Sequence, residues 1–182
     1  TSTNTASSTS PSASGSASPS ASCTKDSLTT FAPGKLTVAT GEPAFSPWVE
    51  DNKPESGKGF EAAVALAVAS EMGYEGDAVV WTRTTFDEAI QPGAKNFDIN
   101  MQQFTITDDR KENVNFSLPY YTSNQAIVAL DGSAAAGVTT VADLKDLKFG
   151  AQVGTTSLAF ITEVIQPNQD PFVYDDNVGA KA

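Results

Sequence analysis

An arginine that could bind a carboxylate ends the segment Phe104–Arg110. A guanidinium presents a planar fork of N–H donors that fits a carboxylate through two hydrogen bonds. The neighbouring acids Asp108, Asp109 and Glu112 allow an alternative, an ordinary surface ion pair, which is the more common arrangement. The spacing of these residues alone leaves both interpretations open.

A second candidate anion site is the segment Gln152–Ser157, which joins a predicted strand to a predicted helix. Free amide N–H groups and the positive end of a helix dipole stabilise an anion at such a position. The segment is not a nucleotide-binding Walker loop, because it lacks the glycine spacing and the lysine. The alternative is plain capping of the helix by a Thr or Ser hydroxyl, and capping and anion binding can coexist.

The loop Thr40–Trp48 follows the first predicted strand, where α/β proteins place ligand-binding loops. It contains two aromatic residues, one acid and two prolines, so it is stiff. Taken alone, the loop favours an interpretation in which its aromatic rings fill the core. Two further groups of acids, Asp98 and Asp175–Asp176, could act in acid–base catalysis or bind a cation. Solvated loop ends are the preferred interpretation, since calcium-loop spacing is absent.

The composition excludes several classes of function. The 182 residues contain no His and a single Cys, so no His-based catalysis, His-ligated metal or Cys-rich zinc site is expected, and no cofactor is predicted. The formal net charge of −11 argues against binding nucleic acid or an anionic membrane surface. No stretch approaches the roughly 18 apolar residues of a membrane span.

Residues 1–22 contain 10 Ser and 4 Thr but no charged residue and no Val, Leu, Ile or aromatic. Such a segment buries too little apolar surface to fold, and its composition predicts a flexible spacer. Cys23 follows small residues with no apolar run before it, so it is rejected as a lipidation site. A lone Cys in an exported protein suggests an absent partner or a free thiol.

From Lys25 onward, strands alternate with helices, which predicts an α/β protein with mainly parallel sheets. The first unit is predicted to contain a helix within Gly59–Gly73 with the apolar stripe Phe60, Val64, Val68 and Met72. A pairing of Thr84 with Asp87 predicts the start of a short helix. The predicted strands of this unit are Lys35–Gly41, Ala78–Thr82, Asp98–Phe104 and Asn124–Leu130.

A second unit follows the stretch 131–139, for which no helix or strand is predicted. Thr140 with Asp143 predicts a capped helix over Val141–Leu147, and a second helix runs from Gly154 to about Ile165. The predicted strands are Lys148–Val153 and Pro171–Tyr174, and a further helix begins at Asp176. Two strands are too few for a complete covered sheet, so the unit is predicted to be a fragment or to be completed by another chain.

Taken in order, these segments resemble the family-3 bacterial extracellular solute-binding proteins, the amino-acid receptors of ABC importers. The resemblance covers roughly residues 35–178, and its most specific part is Phe116-Ser117 followed by Pro119-Tyr120-Tyr121. The Ser-rich start and the acidic charge are most similar to actinobacterial lipoproteins. The other matching segments are Thr40–Trp48, Gly59–Glu61 with its Ala-rich helix, Phe97–Asn100, Thr105–Arg110 and Gly150–Ser157.

The resemblance implies the type II periplasmic-binding-protein fold, with two lobes of mainly parallel sheet joined by hinge strands. The expected division is a disordered linker at 1–24, a first lobe at 25–129 and a partial second lobe at 130–182. Family members continue well past Ala182, so the chain is expected to be truncated. The absent part would supply the rest of the second lobe, the second hinge strand and the acid that binds the ligand's amino group, and it could hold the partner of Cys23.

The same resemblance implies which residues bind the ligand. Arg110 would grip the α-carboxylate of an amino acid, helped by Thr105 and by the amides and hydroxyls near Thr155 and Thr156. These residues would come from both lobes, and hinge closure on the ligand would be the signalling motion.

Five more residues are expected to complete the site. Phe45 and Phe86 would sandwich the ligand, and Gln103 would offer its backbone carbonyl to the amino group. Glu42 and Gln152 occupy positions that tune side-chain preference. One departure is Ala63, where family members carry a second acid that is not expected to touch the ligand.

The resulting hypothesis is a non-enzymatic, extracytoplasmic receptor for a polar amino acid. Its partners would be ABC permease subunits, and it would reach the membrane only through a lipid anchor upstream of this chain. One alternative is a dehydratase acting on cyclic amino-acid precursors, for which Glu42 is the cleft acid available. The other is the ligand-sensing domain of a signalling receptor, which a membrane span and kinase region downstream would favour.

Overall fold

The structure, a computed structural model, describes residues 24–181. Cys23 and residues 1–22 of the predicted linker lie outside the described residues. The described chain forms two parallel sheets, each with its own hydrophobic core, and the prediction of an α/β protein with mainly parallel sheets is confirmed. The predicted lobe boundary between residues 129 and 130 stays a prediction.

The first sheet has three parallel strands in the order β2-β1-β3. Strand β1 (Leu36–Gly41) lies in the centre, with β2 (Val79–Thr84) and β3 (Ile99–Asn100) on its two sides. In the register of the sheet, Leu36 lies opposite Val79 and Val38 lies opposite Ile99. All six residues of β1 are buried, as expected for an apolar strand with neighbours on both edges.

Helix α1 (Phe60–Glu71) confirms the predicted helix, but its buried face differs from the predicted stripe. The fully buried positions Ala62, Ala65 and Ala69 are small, so the helix packs closely on the first sheet. Phe60 and Val68 of the predicted stripe are 39% and 41% exposed. Val64 and Met72 of the stripe do pack against the core. The other half of the stripe was wrong because alanines, which weigh little in an apolar periodicity, occupy the tightest contact.

Gly59 fixes the start of this helix. Its φ of 102° lies in the region that favours glycine, and a Cβ atom there would lie 2.5 Å from the carbonyl oxygen of Trp48. The loop that carries Trp48 and the first turn of α1 are therefore held in close contact, and only glycine fits between them.

The second sheet pairs β4 (Gly150–Gln152) with β5 (Phe172–Tyr174) in parallel. Helix α4 (Thr156–Ala159) continues as a π-helical segment over Phe160–Ile165, and α5 (Asn177–Lys181) follows β5. The buried core of this unit consists of Leu144, Ala151, Ile161 and Ile165. The predicted helix start after Gly154 and both predicted strands are confirmed.

Four predicted elements differ in the structure. The predicted strand Asp98–Phe104 is reduced to the two residues of β3. Helix α2 (Phe86–Ile90) is capped by Thr85 with Glu88 in a reciprocal capping box, one residue beyond the predicted pair. The predicted helix over Val141–Leu147 is a single 3₁₀ turn, although Thr140 still bonds Asp143. The predicted strand Asn124–Leu130 is exposed and pairs with no strand among residues 24–181, because none of the described strands lies beside it.

Shorter elements complete the described chain. A four-residue helix, α3 (Asp108–Lys111), was not predicted and carries Arg110. The remaining 3₁₀ turns are Lys25–Ser27, Glu50–Asn52, Pro54–Ser56 and Gly76–Ala78. Across residues 24–181, no helix is both long enough and apolar enough to span a membrane.

Candidate functional site

Segments that follow the carboxyl ends of the strands meet at one cavity of about 370 Å³. This is the edge at which parallel α/β sheets place their binding loops. The cavity lies between the two sheets, since residues after β1, β2 and β3 face residues after β4 and β5. Eight of the nine residues predicted to bind ligand line it: Phe45, Phe86, Gln103, Thr105, Arg110, Gln152, Thr155 and Thr156.

Arg110 connects the two halves of the cavity. Its Nη1 donates to the carbonyl oxygen of Thr105 at 2.7 Å, and its Nη2 donates to the carbonyl oxygen of Gly154 at 2.8 Å. The side chain is positioned by α3, whose first turn is capped by Thr107. Gly154 has a φ of 69°, a conformation that favours glycine, and this turn aims its carbonyl at the guanidinium.

The charge of Arg110 is not balanced by an acid among the described residues. Only 7% of the residue is exposed, and its two side-chain hydrogen bonds go to carbonyl oxygens. Burial lowers the pKa of the guanidinium, but from a value so high that it stays protonated. The predicted alternative, an ion pair with Asp108, Asp109 or Glu112, does not form, since Asp108 pairs with Lys111 instead.

Aromatic rings cover one side of the guanidinium. The Cζ atom of Arg110 lies 5.3 Å from the centre of the Phe86 ring and 5.9 Å from that of Phe104. The two rings contact each other at 4.5 Å between centres. A cation held against aromatic faces keeps a fixed orientation, so the remaining N–H groups point in defined directions.

The turn after β4 faces Arg110 from the second sheet. The hydroxyl of Thr155 accepts a hydrogen bond from the amide of Leu158 and donates to the carbonyl of Gln152 at 2.8 Å, so it caps α4. The neighbouring Thr156 hydroxyl lies 3.4 Å from that of Thr105 and accepts a hydrogen bond from the side-chain amide of Gln125. The capping interpretation is therefore present in the structure, beside hydroxyls that line the cavity.

Glu42 is the one predicted site residue that the structure does not bring to the cavity. Its carboxylate lies 3.5 Å from Nε of Arg83 and accepts a hydrogen bond from Asn52. Arg83 also donates to the carbonyl oxygens of Gly41 and Asn52. These contacts hold the loop that carries Phe45. Glu42 therefore stabilises this loop and does not itself line the cavity.

Eight lining residues were not predicted, and Asp176 has the greatest chemical consequence. It lies directly before α5 and two residues after the end of β5, and its carboxylate accepts a hydrogen bond from the backbone amide of Gly179. Its position after a strand was the available signal, and its exposure agrees with the preferred interpretation as a solvated loop end, although it also lines the cavity. The other residues are Gln102, Ser123, Asn124, Gln125, Ala126, Ser157 and Asn177.

Asp98, unlike Asp176, differs from the interpretation as a solvated loop end. Its two carboxylate oxygens accept hydrogen bonds from the backbone amides of Phe31 and Thr37, at 2.6 and 2.7 Å. Asp98 therefore fastens the segment before β1 to the segment before β3 and takes no part in the cavity. Within residues 24–181, no cluster of three or more Asp, Glu, His or Cys side chains could hold a metal ion.

A second hollow of about 590 Å³ adjoins the cavity. It shares Phe45, Gln103 and Asn177 with the cavity, and Trp48 and Lys181 extend it outward. A cavity with one buried cation, one carboxylate and polar amides can bind a small molecule that carries both charges.

The sequence profile of the bacterial extracellular solute-binding proteins, family 3, matches residues 36–178. A probable histidine-binding protein of Campylobacter jejuni is 30% identical over 156 residues, which cover 81% of this chain and 57% of that protein. An arginine-binding extracellular protein of Bacillus subtilis is 30% identical over 67% of this chain and 46% of its own length. The chain thus spans about half the length of the curated relatives it matches.

Solved structures of amino-acid-binding proteins are also similar to this chain. An ancestral arginine-binding protein, solved with glutamine bound, is 32% identical and superimposes with a TM-score of 0.65 over 81% of this chain and 63% of that one. An ancestral arginine-binding protein solved with arginine bound is also 32% identical and gives a TM-score of 0.64. The described residues therefore share the two-lobe, parallel-sheet fold of amino-acid-binding proteins and cover part of it.

Proposed function

The chain belongs to family 3 of the bacterial extracellular solute-binding proteins, and on this premise we propose that the protein binds a free amino acid outside the cytoplasm for delivery to an ABC importer. The observation that carries the proposal is the guanidinium of Arg110, which is buried at the cavity without an acidic partner among the described residues. A buried charge is stable only when it is compensated, and a ligand carboxylate compensates it.

The remaining N–H groups of Arg110 suit a carboxylate. Two of the five guanidinium donors are used by Thr105 and Gly154, which leaves three for a ligand. Thr105, Thr155 and Thr156 add hydroxyls to the lining of the cavity. Asp176 supplies the opposite charge, which a ligand ammonium group would satisfy. The resemblance implies that this acid lies beyond Ala182, and we propose Asp176 as an acid within the described residues that could take the same role.

The aromatic side chains serve the aliphatic part of the ligand. Phe45 and Phe86 line the cavity from the loop after β1 and from α2. Closure of the two halves on the ligand would signal occupancy to the importer, and the hydrogen bond from Arg110 to Gly154 is a contact that such closure would keep. Relatives named as histidine-, arginine- and cystine-binding proteins support an amino-acid ligand.

The proposal includes a non-enzymatic role, contact with permease subunits and attachment to the membrane through a lipid anchor. The relatives are named as binding proteins, which supports the first part. The Ser- and Thr-rich residues 1–22 support the last part, because their composition suits a spacer between a membrane and a folded domain. The dehydratase alternative relied on Glu42 as a cleft acid, and Glu42 lies against Arg83 and Asn52 instead.

Calorimetric titration of the full-length protein with the common amino acids tests the proposal. We expect at least one amino acid to bind, and Arg110→Ala to weaken that binding by about 2 kcal/mol or more, about thirtyfold. Lys111→Ala removes a neighbouring cation that lies outside the cavity and is the matched control. Circular dichroism of both variants establishes that they are folded.

Two results would reject the proposed function. One is the absence of binding to any amino acid in the wild-type protein. The other is equal affinity in the wild-type protein and the folded Arg110→Ala variant, because the ligand would then not use the buried guanidinium.

A further inference from the structure

Resting on the proposed function, we infer that the ligand is an amino acid with an uncharged carboxamide side chain, glutamine or asparagine. The first observation is the charge balance of the cavity. Of its 16 lining residues, only Arg110 and Asp176 carry a charge. These two match the carboxylate and the ammonium group that every free amino acid has. A third charge, on the ligand's side chain, would leave water without a partner of opposite sign among the cavity residues within 24–181.

The second observation is the abundance of side-chain amides around the cavity. Six of the 16 lining residues are Gln102, Gln103, Asn124, Gln125, Gln152 and Asn177. An amide offers both a donor and an acceptor, and a carboxamide on the ligand offers the same pair in return. An apolar side chain that covered these amides would remove them from water without replacing their hydrogen bonds, which lowers affinity.

Several of these amides are free to contact a ligand. Asn124 and Asn177 make no side-chain hydrogen bond to another residue within 24–181, and the amide nitrogen of Gln102 makes none either. The side-chain amides of Gln103, Gln125 and Gln152 already donate to neighbouring groups and so hold the walls of the cavity. Their acceptors are the Glu61 carboxylate, the Thr156 hydroxyl and the carbonyl of Asp175. The unused donors and acceptors lie on both sides of the cavity.

The third observation concerns the nearby charges that could select a charged ligand. Glu42, the acid that would favour a cationic side chain, is held by Asn52 at 2.7 Å and faces Arg83. Lys181, the cation that would favour an acidic side chain, lines the adjoining hollow and not the cavity itself. Neither charged residue lines the cavity beside Arg110 and Asp176.

A competition experiment with the full-length protein tests this inference. Calorimetry compares glutamine and asparagine with arginine, lysine, glutamate, aspartate and leucine at one pH and ionic strength. We expect glutamine or asparagine to bind about tenfold or more tightly than each of the others. A charged or apolar amino acid that binds as tightly as both carboxamides overturns the inference and leaves the proposed function intact. Absence of all amino-acid binding rejects the proposed function itself.

A charge introduced at the cavity provides a second test. Asn124→Asp places an acid among the free amides, and Asn113→Asp makes the same change at a residue that does not line the cavity. We expect the affinity ratio of lysine to glutamine to rise about tenfold in Asn124→Asp and to stay within about threefold in the control. An unchanged ratio in a folded Asn124→Asp variant would show that the ligand's side chain lies away from the amides, and would overturn the inference.

Discussion

The carboxylate of Glu61 accepts a hydrogen bond from the hydroxyl of Tyr120, with 2.6 Å between the two oxygens. The same carboxylate accepts from the backbone amide of Gln103 at 2.8 Å and from the Gln103 side chain. Glu61 is 1% exposed, so these three donors satisfy a fully buried charge. Helix α1 is thereby tied to the two segments that lead into the cavity walls at 102–110 and 123–126.

Replacement of Glu61 is expected to destabilise the protein and to weaken ligand binding. Glu61→Ala leaves the donors of Gln103 and Tyr120 without their acceptor, which should lower the free energy of unfolding by about 3 kcal/mol. Urea unfolding of the full-length protein measures this loss. Glu71→Ala, at the exposed end of the same helix, should change stability by less than about 0.5 kcal/mol. Equal effects of the two substitutions would contradict a structural role for the buried carboxylate.

Tyr120 is expected to make stability fall at alkaline pH. Burial, and next the hydrogen bond to Glu61, raise the pKa of its hydroxyl above the ordinary value. In the unfolded chain a tyrosine loses its proton near pH 10, whereas Tyr120 keeps its proton in the folded state. The stabilisation is therefore complete below about pH 10 and is lost as the pH rises above it, toward the folded-state pKa.

Unfolding curves of the wild-type protein and of Tyr120→Phe isolate this effect from that of other titrating groups. The curves are measured from pH 8 to pH 11, about one unit past the ordinary tyrosine pKa. The difference in unfolding free energy between the two proteins should shrink as the pH rises. A constant difference across that range would show that the Tyr120 hydroxyl has the same pKa in both states.

Asp98 is expected to contribute to stability without affecting ligand preference. Asp98→Ala removes the acceptor for the amides of Phe31 and Thr37, and Thr37 is only 4% exposed. An unpaired buried amide costs about 2 kcal/mol, which should appear as a lower unfolding free energy. Asp98→Asn keeps one acceptor and should lose about half as much. The exposed Asp77→Ala is the control, and a loss of the same size there would argue against the proposed contacts.

The structure differs from the sequence-based expectation in the role of Glu42. The resemblance implies that Glu42 tunes side-chain preference, whereas the structure places its carboxylate against Arg83 and Asn52. We therefore expect Glu42→Gln to change the affinity ratio of lysine to glutamine by less than about threefold. The same calorimetric series measures it. A large fall in lysine affinity relative to glutamine would restore the expectation from sequence.

Local signals in the sequence predicted much of the site because they report the backbone directly. A Gly-Thr-Thr-Ser run between an apolar strand and a helical pattern specifies a turn and a cap, and the structure has Thr155 as the cap of α4. The apolar run at Leu36–Gly41 likewise predicts a strand whatever packs on it. These features depend on neighbours within a few residues, so the sequence contains them in full.

The wrong predictions share a different cause. The Thr84–Asp87 and Thr85–Glu88 pairs both fit a capping box, and the local pattern could not decide between them. The buried face of α1 was misassigned because alanine packs against the sheet where larger residues would not fit. Asn124–Leu130 has the composition of a strand, but a strand needs a partner, which is a property of the whole sheet.

The sequence by itself determined the α/β class, the order of the elements and the resemblance to family 3, because periodicity, turn residues and motif order are local properties. Only the tertiary structure decided that Arg110 is buried without an acidic partner, that Asp176 reaches the same cavity and that Glu42 does not. These outcomes depend on which distant segments meet at the ends of two sheets, and that meeting sets both desolvation and the choice of partner for each charge.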